Sequence, residues 1–309
     1  MERHQSAPWR FGVSSVALAG LLVATSLAEA DVIAQWRFDE EAGATIAADS
    51  VGGQDGMLHG STGFVEGGIS GNALSLSIAG DGYVTMGDAF AFAGGDFSIV
   101  VWVKTDAGDQ TPDYLILARH RATYVAGYII GMNQNGTYGA TDKAWFYQSV
   151  SPGGEVISNK AVNDGAWHQI AVSYHAGGLV ELYIDGTPMD NSKAASPIVY
   201  VDAPFLIGAI DWWGTPKGAF NGWVDEVQLY DHAIGPCEVL YVYEHPGEVA
   251  PEADPCPPDV NDDLVVDVLD LLGILGAWGP CDHCAEDVNC DLVVDVLDLL
   301  EVLGAWGPC

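Results

Sequence analysis

Oxygen-bearing side chains recur at fixed spacing near the end of the chain, in two copies offset by 28 residues (287 − 259). In each copy they occupy positions 1, 3, 5, 9 and 12 of a twelve-residue loop, and position 7 offers a backbone carbonyl. The first set is Asp259, Asn261, Asp263, Val265, Asp267 and Asp270, and the second is Asp287, Asn289, Asp291, Val293, Asp295 and Asp298. A hard cation such as Ca²⁺ prefers about six to eight oxygen ligands. The spacing therefore predicts two Ca²⁺ sites.

Two interpretations of these acidic runs compete. A single run is compatible with a solvated acidic turn before a helix. Two copies that keep every ligand position favour metal binding, because the four carboxylates in each loop repel one another unless a cation joins them. We therefore expect ion binding and folding of this region to be coupled.

A short apolar segment follows each loop, and each is predicted to form one helix, over Val268 to Ala277 and Val296 to Ala305. The segments VLDLLGILGAW and VLDLLEVLGAW are apolar on nearly all sides. We expect both helices to be buried, most simply against each other. No helix precedes either loop, so each unit is half of an EF-hand.

These repeats resemble type I dockerins, which carry two loop–helix units with the pattern DxNxDxxVDxxD and Asp rather than Glu at position 12. The resemblance covers residues 259–309. It implies calcium at both loops and a cohesin-like partner protein. The chain differs from the dockerin pattern at position 6, where Leu264 and Leu292 replace the usual Gly. It also differs at positions 10 and 11, where Val-Leu pairs replace small hydroxyl residues.

All six cysteines lie from Cys237 onward, and an even count in an oxidising compartment predicts disulfides. If the two helices pack antiparallel, the repeat favours Cys256–Cys309 with Cys281–Cys284. The pairs inside each copy, Cys256–Cys281 and Cys284–Cys309, satisfy the same symmetry. Cys237 and Cys290 remain and are available to tie two domains together. A Cys₄ zinc site is the metal alternative, and it is weak because C-x-x-C occurs once.

The start of the chain has the features of an export signal. Arg3 and Arg10 precede an apolar stretch that ends in a small-x-small cleavage site at Ala28-Glu29-Ala30. An uncleaved membrane anchor is the alternative, but the apolar run is short and contains Ser, Thr and Gly. We predict a signal peptide over residues 1–30, a secreted or cell-surface protein, and no membrane span after signal removal.

The charge of the chain is strongly negative and unevenly distributed. The formal net charge is −33, and no Lys or Arg follows Lys217. Nucleic acid is therefore excluded as a partner, since phosphate contacts need clustered Lys and Arg. Such an acidic surface suits calcium binding or solubility in a salty exterior.

Short alternating or apolar runs, broken by Gly, Asn, Asp and Pro, fill residues 31–247. These runs carry the Val, Ile, Tyr, Phe and Trp that strands prefer. The sequence predicts a mainly β fold, a two-sheet antiparallel jelly-roll sandwich, with a short helix or turn at GPCEVLYVYEH. A Pro-rich linker over 248–258 and a small all-α domain of two loop–helix repeats over 259–309 follow.

The order of motifs in this region resembles the LamG-like, concanavalin A-like jelly-roll family. The motifs are WRFDE at Trp36, DSVGGQDGMLHG at Asp49, ALSLSIAGDGYVTMG at Ala73, FSIVVWVKTD at Phe97, DGAWHQIAVSYHAGGLVELYIDGTPM at Asp164 and FNGWVDEVQLYDHAIG at Phe220. The resemblance implies an additional metal site, for which Asp49, Asp55 and Asp225 are the candidates. Turn capping by Asp side chains is the alternative.

The sequence does not have the spacing of carboxylates that hydrolases of this fold use for catalysis. Hydrolases of this fold place carboxylates two residues apart on one strand face, where a proton donor can meet a nucleophile. The nearest candidates, Glu181 with Asp185 and the adjacent Asp225-Glu226, do not have this spacing. No nucleophile elbow, P-loop or zinc-protease motif is present. We predict no catalytic activity, with a glycoside hydrolase or a purely structural surface protein as the alternatives.

Exposed aromatic rings are the usual platforms for sugars. Trp212 and Trp213, flanked by Gly and Pro, are predicted to lie on a loop as ligand-binding residues. Tyr124, Trp145 and Tyr147 are candidates for the same concave sheet, and gap filling inside the sandwich is the alternative for all five. Three further residues, Trp167, His168 and Trp223, are predicted to be core. The sequence therefore predicts a secreted, non-catalytic protein that binds an extracellular polysaccharide or glycoprotein and docks through its calcium repeats.

Overall fold

The computed structural model describes residues 32–92, 94–105, 114–121, 126–133, 142–148, 155–252, 254–281 and 284–309. The predicted signal peptide and Tyr124 lie outside these residues. The elements are β1 Val32–Trp36, β2 Ile46–Ala47, β3 Gly56–His59, β4 Thr62–Glu66, β5 Asn72–Leu76, β6 Tyr83–Thr85, β7 Phe97–Lys104, β8 Tyr114–Arg121, β9 Ala126–Asn133, β10 Lys143–Gln148, β11 Val156–Ala161, β12 Trp167–Tyr174, β13 Leu179–Ile184, β14 Thr187–Pro188, β15 Lys193–Ala194, β16 Leu206–Ile207, β17 Ala209–Trp212, β18 Thr215–Gly218, β19 Gly222–Tyr230, α1 Pro236–Glu244, β20 Val265–Val266, α2 Val268–Ala277, β21 Gly279–Pro280, β22 Val293–Val294, α3 Val296–Gly304 and β23 Gly307–Pro308.

Two large sheets form the sandwich. Sheet A has the order β14-β13-β12-β7-β19-β5-β4, with β1 paired to β19 and β15 to β13. Sheet B has the order β11-β10-β9-β8-β16-β6-β3-β2, and β17 pairs with β8 and β18. The pairs are antiparallel except for β17 and β8, which run parallel where Asp211 lies opposite Arg121. The predicted mainly β, two-sheet antiparallel sandwich is therefore confirmed.

The centre of sheet A is buried on both faces. Alternate residues of β7, such as Phe97 and Ile99, point into the core between the sheets. Val100, on the opposite face of β7, packs in a second cluster with Tyr230 of β19 and Val239 of α1. A strand covered on both sides reads as a continuous apolar run, which explains FSIVVWVK. The short helix predicted after the last strand is thus α1, and it closes the outer face of sheet A.

The two C-terminal repeats cross-pair. β20, in the first loop, pairs with β23 at the end of the chain, and β21 pairs with β22 in the second loop. The helices α2 and α3 contribute to one small apolar cluster that includes Ile274 and Val302. In the part of the chain that the structure describes, no helix is both long and apolar enough to cross a membrane.

The expectation that both repeat helices are buried on nearly all sides is wrong. Each helix buries one narrow face and leaves an apolar stripe in solvent. The stripe of α2 is Val268, Leu269, Leu272, Leu275 and Trp278, and the stripe of α3 is Val296, Leu297, Leu300, Leu303 and Trp306, with exposures between 49% and 57%. Two helices alone can cover only the sides that face each other, so the outer sides stay uncovered.

Two of the three residues expected in the core lie elsewhere. Trp167 and Trp223 are only partly buried on the outer face of sheet A, aligned with Lys104 across β12, β7 and β19. The Lys104 Nζ is 4.8 Å from the ring centroid of Trp223 and 6.0 Å from that of Trp167. Alternation along the strands turns these rings away from the core, and the lysine covers them by cation–π contact. The prediction of core burial is wrong for both tryptophans.

His168 is buried, and both of its ring nitrogens form hydrogen bonds with carboxylates. Its Nδ1 is 2.8 Å from Asp185 Oδ2, and its Nε2 is 3.1 Å from Asp164 Oδ1. Asp185 and Gly186, with φ of 52° and 73°, form the tight turn between β13 and β14. The hydrogen bond to Asp185 raises the pKa of His168, against an opposing effect of burial. The ring therefore pins the β13–β14 turn to the start of β12.

His168→Ala should lower the free energy of unfolding by roughly 1–3 kcal/mol, because Asp185 and Asp164 each lose their hydrogen bond to the imidazole. Asp185 keeps Lys160 as an ion-pair partner, and Asp164 keeps the N–H of Ala166. Since the folded-state pKa of His168 is raised, its charged-state contribution is complete below the unfolded pKa of about 6.5 and is lost as pH rises through the folded value. Urea denaturation should therefore show a larger gap between wild type and variant at about pH 5.5 than at about pH 9.

His175→Ala is the matched control, because His175 forms an exposed pair with Glu181. Its effect should stay within about 0.5 kcal/mol. Equal gaps at both pH values for His168→Ala would contradict the contribution of a charged His168 imidazole.

Candidate functional site

The first and last predicted ligands of each loop fold back onto its backbone. Asp259 accepts hydrogen bonds from the N–H groups of Asp263 (3.1 Å) and Leu264 (2.6 Å). Asp270 accepts from the N–H groups of Asn261 (3.3 Å) and Asp267 (2.7 Å). In the second loop, Asp287 accepts from the N–H groups of Asp291 and Leu292. Asp298 accepts from those of Asn289 and Asp295. Positions 1 and 12 thus close each loop into one compact turn.

These terminal carboxylates are almost fully enclosed. Asp270 and Asp298 are 0% exposed, and Asp259 and Asp287 are 5% and 6% exposed. No ion pair within the described ranges involves them, and no Lys or Arg follows Lys217. Buried charges in proteins are normally paired or bound to a metal. The loops therefore have the donor chemistry of a cation site and no cationic side chain to balance it.

The carboxylates of the second loop interact with one another. Burial raises the pKa of Asp287, and the neighbouring charges of Asp298 and Asp291 raise it further, against hydrogen bonds from the backbone. Positions 1, 5 and 12 of that loop are therefore close enough to repel. A bound cation would convert this repulsion into attraction.

The predicted ligands at positions 3, 5 and 9 lie in the same loops and make short-range hydrogen bonds. Asn261 Oδ1 accepts from Asp263 N, Asp263 Oδ1 from Val265 N, and Asp267 Oδ1 caps α2 through Leu269 N. Across the described ranges, no group of three His, Cys, Asp or Glu side chains is arranged as a ready metal site. Each bonded oxygen keeps a second lone pair that could still coordinate a cation. Calcium binding at the twelve positions stays a prediction.

Position 6 keeps the turn that glycine usually supplies. Leu264 and Leu292 have φ of 69° and 68°, in the left-handed region that leucine rarely adopts. Holding a leucine there costs about 1–2 kcal/mol. The loop therefore preserves its path at this departure from the dockerin pattern, because the flanking hydrogen bonds hold the backbone.

Three disulfides connect the C-terminal region. Cys256–Cys309 joins the start of the first repeat to the end of the chain, and Cys281–Cys284 bridges the short segment between the repeats. This is the first of the two symmetric arrangements that the sequence permits. Cys237–Cys290 joins α1 to position 4 of the second loop. The second loop is thus fixed covalently to the sandwich, whereas its counterpart position in the first loop, Asp262, is exposed.

Trp212 and Trp213 lie at the tip of the hairpin formed by β17 and β18. Trp212 pairs with Thr215, and Trp213 and Gly214 make the two-residue turn with φ of 61° and 85°. The side chains of Trp212 and Trp213 are 51% and 69% exposed. They are therefore surface rings on a short, rigid turn, and they do not fill the sandwich core.

The other aromatic candidates lie on the outer face of sheet B. Trp145 and Tyr147 belong to a small cluster, separate from the core, that Ile210 of β17 also joins. Because Ile210 and Trp212 are two residues apart on one strand, they share that face. Trp145 and Tyr147 are nearly buried, at 1% and 9% exposure, so they support this face from below.

Sequence reasoning missed two polar residues beside the hairpin. Arg121 Nε donates to Asp211 Oδ2 at 2.7 Å, and this pair bridges β8 and β17. His120, the residue before Arg121, packs edge-on against Tyr147 with ring centroids 5.5 Å apart. Their signal was the segment Arg119-His120-Arg121, a concentration of basic side chains in a chain that has ten Lys and Arg.

The candidates for an additional metal site are engaged in hydrogen bonds. Asp49 accepts four backbone N–H groups, from Gln35, Val51, Gly52 and Gln54, at 2.9–3.0 Å. Asp55 accepts the N–H of Asp49, and Asp225, on β19, accepts those of Ile69 and Ser70. These bonds correspond to the turn-capping alternative, and a metal at these three residues stays a prediction.

The carboxylates considered for catalysis are either enclosed or paired with other side chains. Asp225 and Glu226 are 0% and 1% exposed, and burial raises their pKa values to about 8 and about 7. Glu181 and Asp185 are occupied separately, by His175 and by His168.

The comparisons with known families agree with this fold. A family model for the concanavalin A-like lectin/glucanases superfamily matches residues 79–240. The chain belongs to this superfamily. The match ends before the repeats, so the dockerin resemblance of this superfamily member rests on the residues of its tail alone. No curated protein is a significant match to the chain.

Solved structures show the same fold. Domain 4 of AbnA, a GH43 extracellular arabinanase from Geobacillus stearothermophilus in complex with arabinotriose, is 23% identical with a TM-score of 0.53, covering 70% of this chain and 99% of that one. The binding domain of Paraclostridial Mosquitocidal Protein 1 is 14% identical with a TM-score of 0.53, and that of botulinum neurotoxin serotype D is 12% identical with 0.51. Each covers 70% of this chain, which spans 52% of their length. At these identities the similarity establishes the fold, which binding domains share.

Proposed function

We propose that this protein is a secreted, non-catalytic binding protein whose sandwich recognises a carbohydrate or glycoprotein surface. The observation that carries the proposal is the pair of exposed indole rings at the tip of the β17–β18 hairpin, Trp212 and Trp213. A sugar ring stacks its C–H face on an indole and gains apolar contact without losing its hydroxyl contacts to water. Because the turn has two residues, the rings are presented with little conformational freedom to lose on binding.

Two further observations support this proposal. AbnA domain 4 shares the fold and was solved with arabinotriose, so neutral arabinose oligomers are reasonable first ligands to try. Three disulfides are typical of oxidising, extracellular surroundings, which agrees with the predicted signal peptide over residues 1–30.

Trp212→Ala and Trp213→Ala should each weaken glycan binding by about tenfold, because each removes a stacking surface. Binding would be measured on a glycan and glycoprotein array and then by calorimetry with the best ligand. Trp306→Ala removes an equally exposed ring, 52% in solvent, from the C-terminal region and should leave glycan binding unchanged. Wild-type protein that binds nothing on the array, or hairpin variants that bind as wild type does, would reject the carbohydrate site.

The duplicated tail is proposed to bind two Ca²⁺ ions. In the first loop the oxygens would come from Asp259, Asn261, Asp263, Val265, Asp267 and Asp270, and in the second from Asp287, Asn289, Asp291, Val293, Asp295 and Asp298. The enclosed, uncompensated carboxylates at positions 1 and 12 support this assignment. Calcium supplies the positive charge that the region lacks, and the repeats would gain stability from it.

Asp259→Ala should lower calcium affinity at one of two sites by at least about tenfold, because position 1 contributes an enclosed carboxylate. Asp262→Ala is the matched control, since position 4 is exposed and outside the ligand set. Calorimetric titration of metal-stripped protein and the thermal midpoint with and without EDTA measure both variants. Absence of heat and of any calcium-dependent stabilisation in the wild type would end the calcium proposal.

The two exposed apolar stripes are proposed to dock a partner protein, for which a cohesin-like module is the expectation from the dockerin resemblance. Matching residues of the stripes are almost equally exposed, for example Leu272 and Leu300 at 57% each. Exposed apolar stripes of this kind mark interaction surfaces. Because the repeats are related by pseudo-twofold symmetry, either stripe offers the same contacts.

Leu272→Asp and Leu300→Asp should each leave docking intact through the other stripe, and the double variant should lose it. A panel of purified cohesin modules, titrated with calcium present, provides the measurement. Leu179→Asp changes an apolar side chain of the sandwich that is 47% exposed and serves as the control. A panel with no binder would remove cohesin-like partners, and a double variant that still docks would remove the stripes as the surface.

A further inference from the structure

His120 occupies the same face of sheet B as the tryptophan hairpin. Asp211 of β17 lies opposite Arg121 of β8, so the residues before them, Ile210 and His120, are neighbours on the other face. Trp212 shares that face with Ile210, and Tyr147 contacts the His120 ring at 5.5 Å. The imidazole of His120 therefore lies on the same face as Trp212, beside Ile210, which is two residues before Trp212 on β17.

Among the residues that the structure describes, the His120 ring has no hydrogen-bond partner. The side chain is 6% exposed, and its Nδ1 is enclosed without a partner. The described residues also provide no hydrogen bond to its Nε2. Asp211 Oδ1, on the neighbouring strand, is likewise enclosed and without a partner. More than about nine in ten buried polar groups are satisfied, so the unpaired imidazole calls for a ligand or a bound water.

Burial of this ring favours its neutral form. Burial lowers the pKa of His120 to about 4, against a smaller raising effect of Asp211. The negative charge of Asp211 is matched by Arg121, its ion-pair partner. A neutral imidazole offers one donor and one acceptor, which is the hydrogen-bonding character of a sugar hydroxyl.

We propose that His120 is a hydrogen-bonding residue of the carbohydrate site and that it restricts the site to uncharged sugar units. The proposal rests on the binding function assigned to the Trp212–Trp213 hairpin. A sugar hydroxyl would pair with Nε2, the ring nitrogen that is not among the enclosed atoms. A site built to pair with a hydroxyl disfavours ligands that lack one. A uronate or sulfated sugar would need a cation at this position. The charge of the neighbouring Arg121 is already balanced by Asp211, and the chain as a whole carries a charge of −33.

The test uses the full chain with calcium and four probes: arabinotriose, xylotriose, laminaritriose and trigalacturonate. Wild type should bind at least one of the three neutral sugars by calorimetry and should not bind trigalacturonate measurably. His120→Phe keeps the ring shape without hydrogen bonds and should weaken binding of that neutral sugar by about tenfold. His120→Gln, which retains a donor and an acceptor, should stay within about threefold of wild type.

A second readout separates contact from mere packing. The ¹⁵N resonances of the His120 ring should shift as the neutral sugar is titrated into wild type, and the same shift in Trp212→Ala should need about tenfold more sugar. His175→Phe, on sheet A, is the control and should bind as wild type does. If His120→Phe does not fold, as judged by circular dichroism, the glutamine variant and the ring resonances decide the question.

The outcomes distinguish this proposal from the function it rests on. If no neutral sugar or glycoprotein binds, the carbohydrate function itself fails. If Trp212→Ala loses binding while His120→Phe binds normally and the ring resonances stay fixed, only the role of His120 is overturned. Trigalacturonate binding as tight as that of a neutral sugar would overturn the selection for uncharged units.

Discussion

Uncompensated negative charge is the constraint on which the C-terminal repeats, residues 259–309, depend. Asp259, Asp270, Asp287 and Asp298 are nearly enclosed, and the hydrogen bonds that shape both loops end on their oxygens. Removing a carboxylate from water without a counter-charge is costly. The folding of the loops and the proposed binding of calcium are therefore expected to be coupled. The same hydrogen bonds hold Leu264 and Leu292 in a backbone region that leucine avoids. Local strain is therefore tolerated because the carboxylates fix the path of the chain.

The disulfides make the two parts of the molecule depend on each other. Cys237–Cys290 connects α1, which covers sheet A, to the second acidic loop. Cys256–Cys309 and Cys281–Cys284 tie the ends and the middle of the repeats, where apolar packing is limited to one small cluster. A unit this small buries too little apolar surface to be stable alone, and covalent links compensate. The Cys237–Cys290 disulfide has no counterpart in the first repeat, where Asp262 occupies the matching position, so it breaks the pseudo-twofold symmetry.

The surfaces proposed for binding differ in chemistry. The hairpin of Trp212 and Trp213 presents rigid rings next to a neutral, buried His120, which suits an uncharged and hydroxyl-rich ligand. The stripes on α2 and α3 are aliphatic and lie within an acidic region, which suits a protein surface. If both proposals hold, the sandwich and the repeats have different partners, and one chain would hold a glycan and a protein together.

The sequence by itself determined the features that depend on local order. The start of α2 at Val268, the strand-rich region and the exposure of Trp212 and Trp213 all follow from residue types and short-range periodicity. The repeat also limited the cysteine pairs to two symmetric choices, and the tertiary structure has one of them. These inferences succeed because neighbours along the chain set backbone conformation.

Only the tertiary structure decided which faces are covered. It left the outer stripes of α2 and α3 in solvent, turned Trp167 and Trp223 outward beside Lys104, and enclosed His120 without a partner. None of these can be obtained from periodicity, because exposure depends on which distant segment lies against a face. An apolar helix looks the same in sequence whether its neighbours cover one side or all sides.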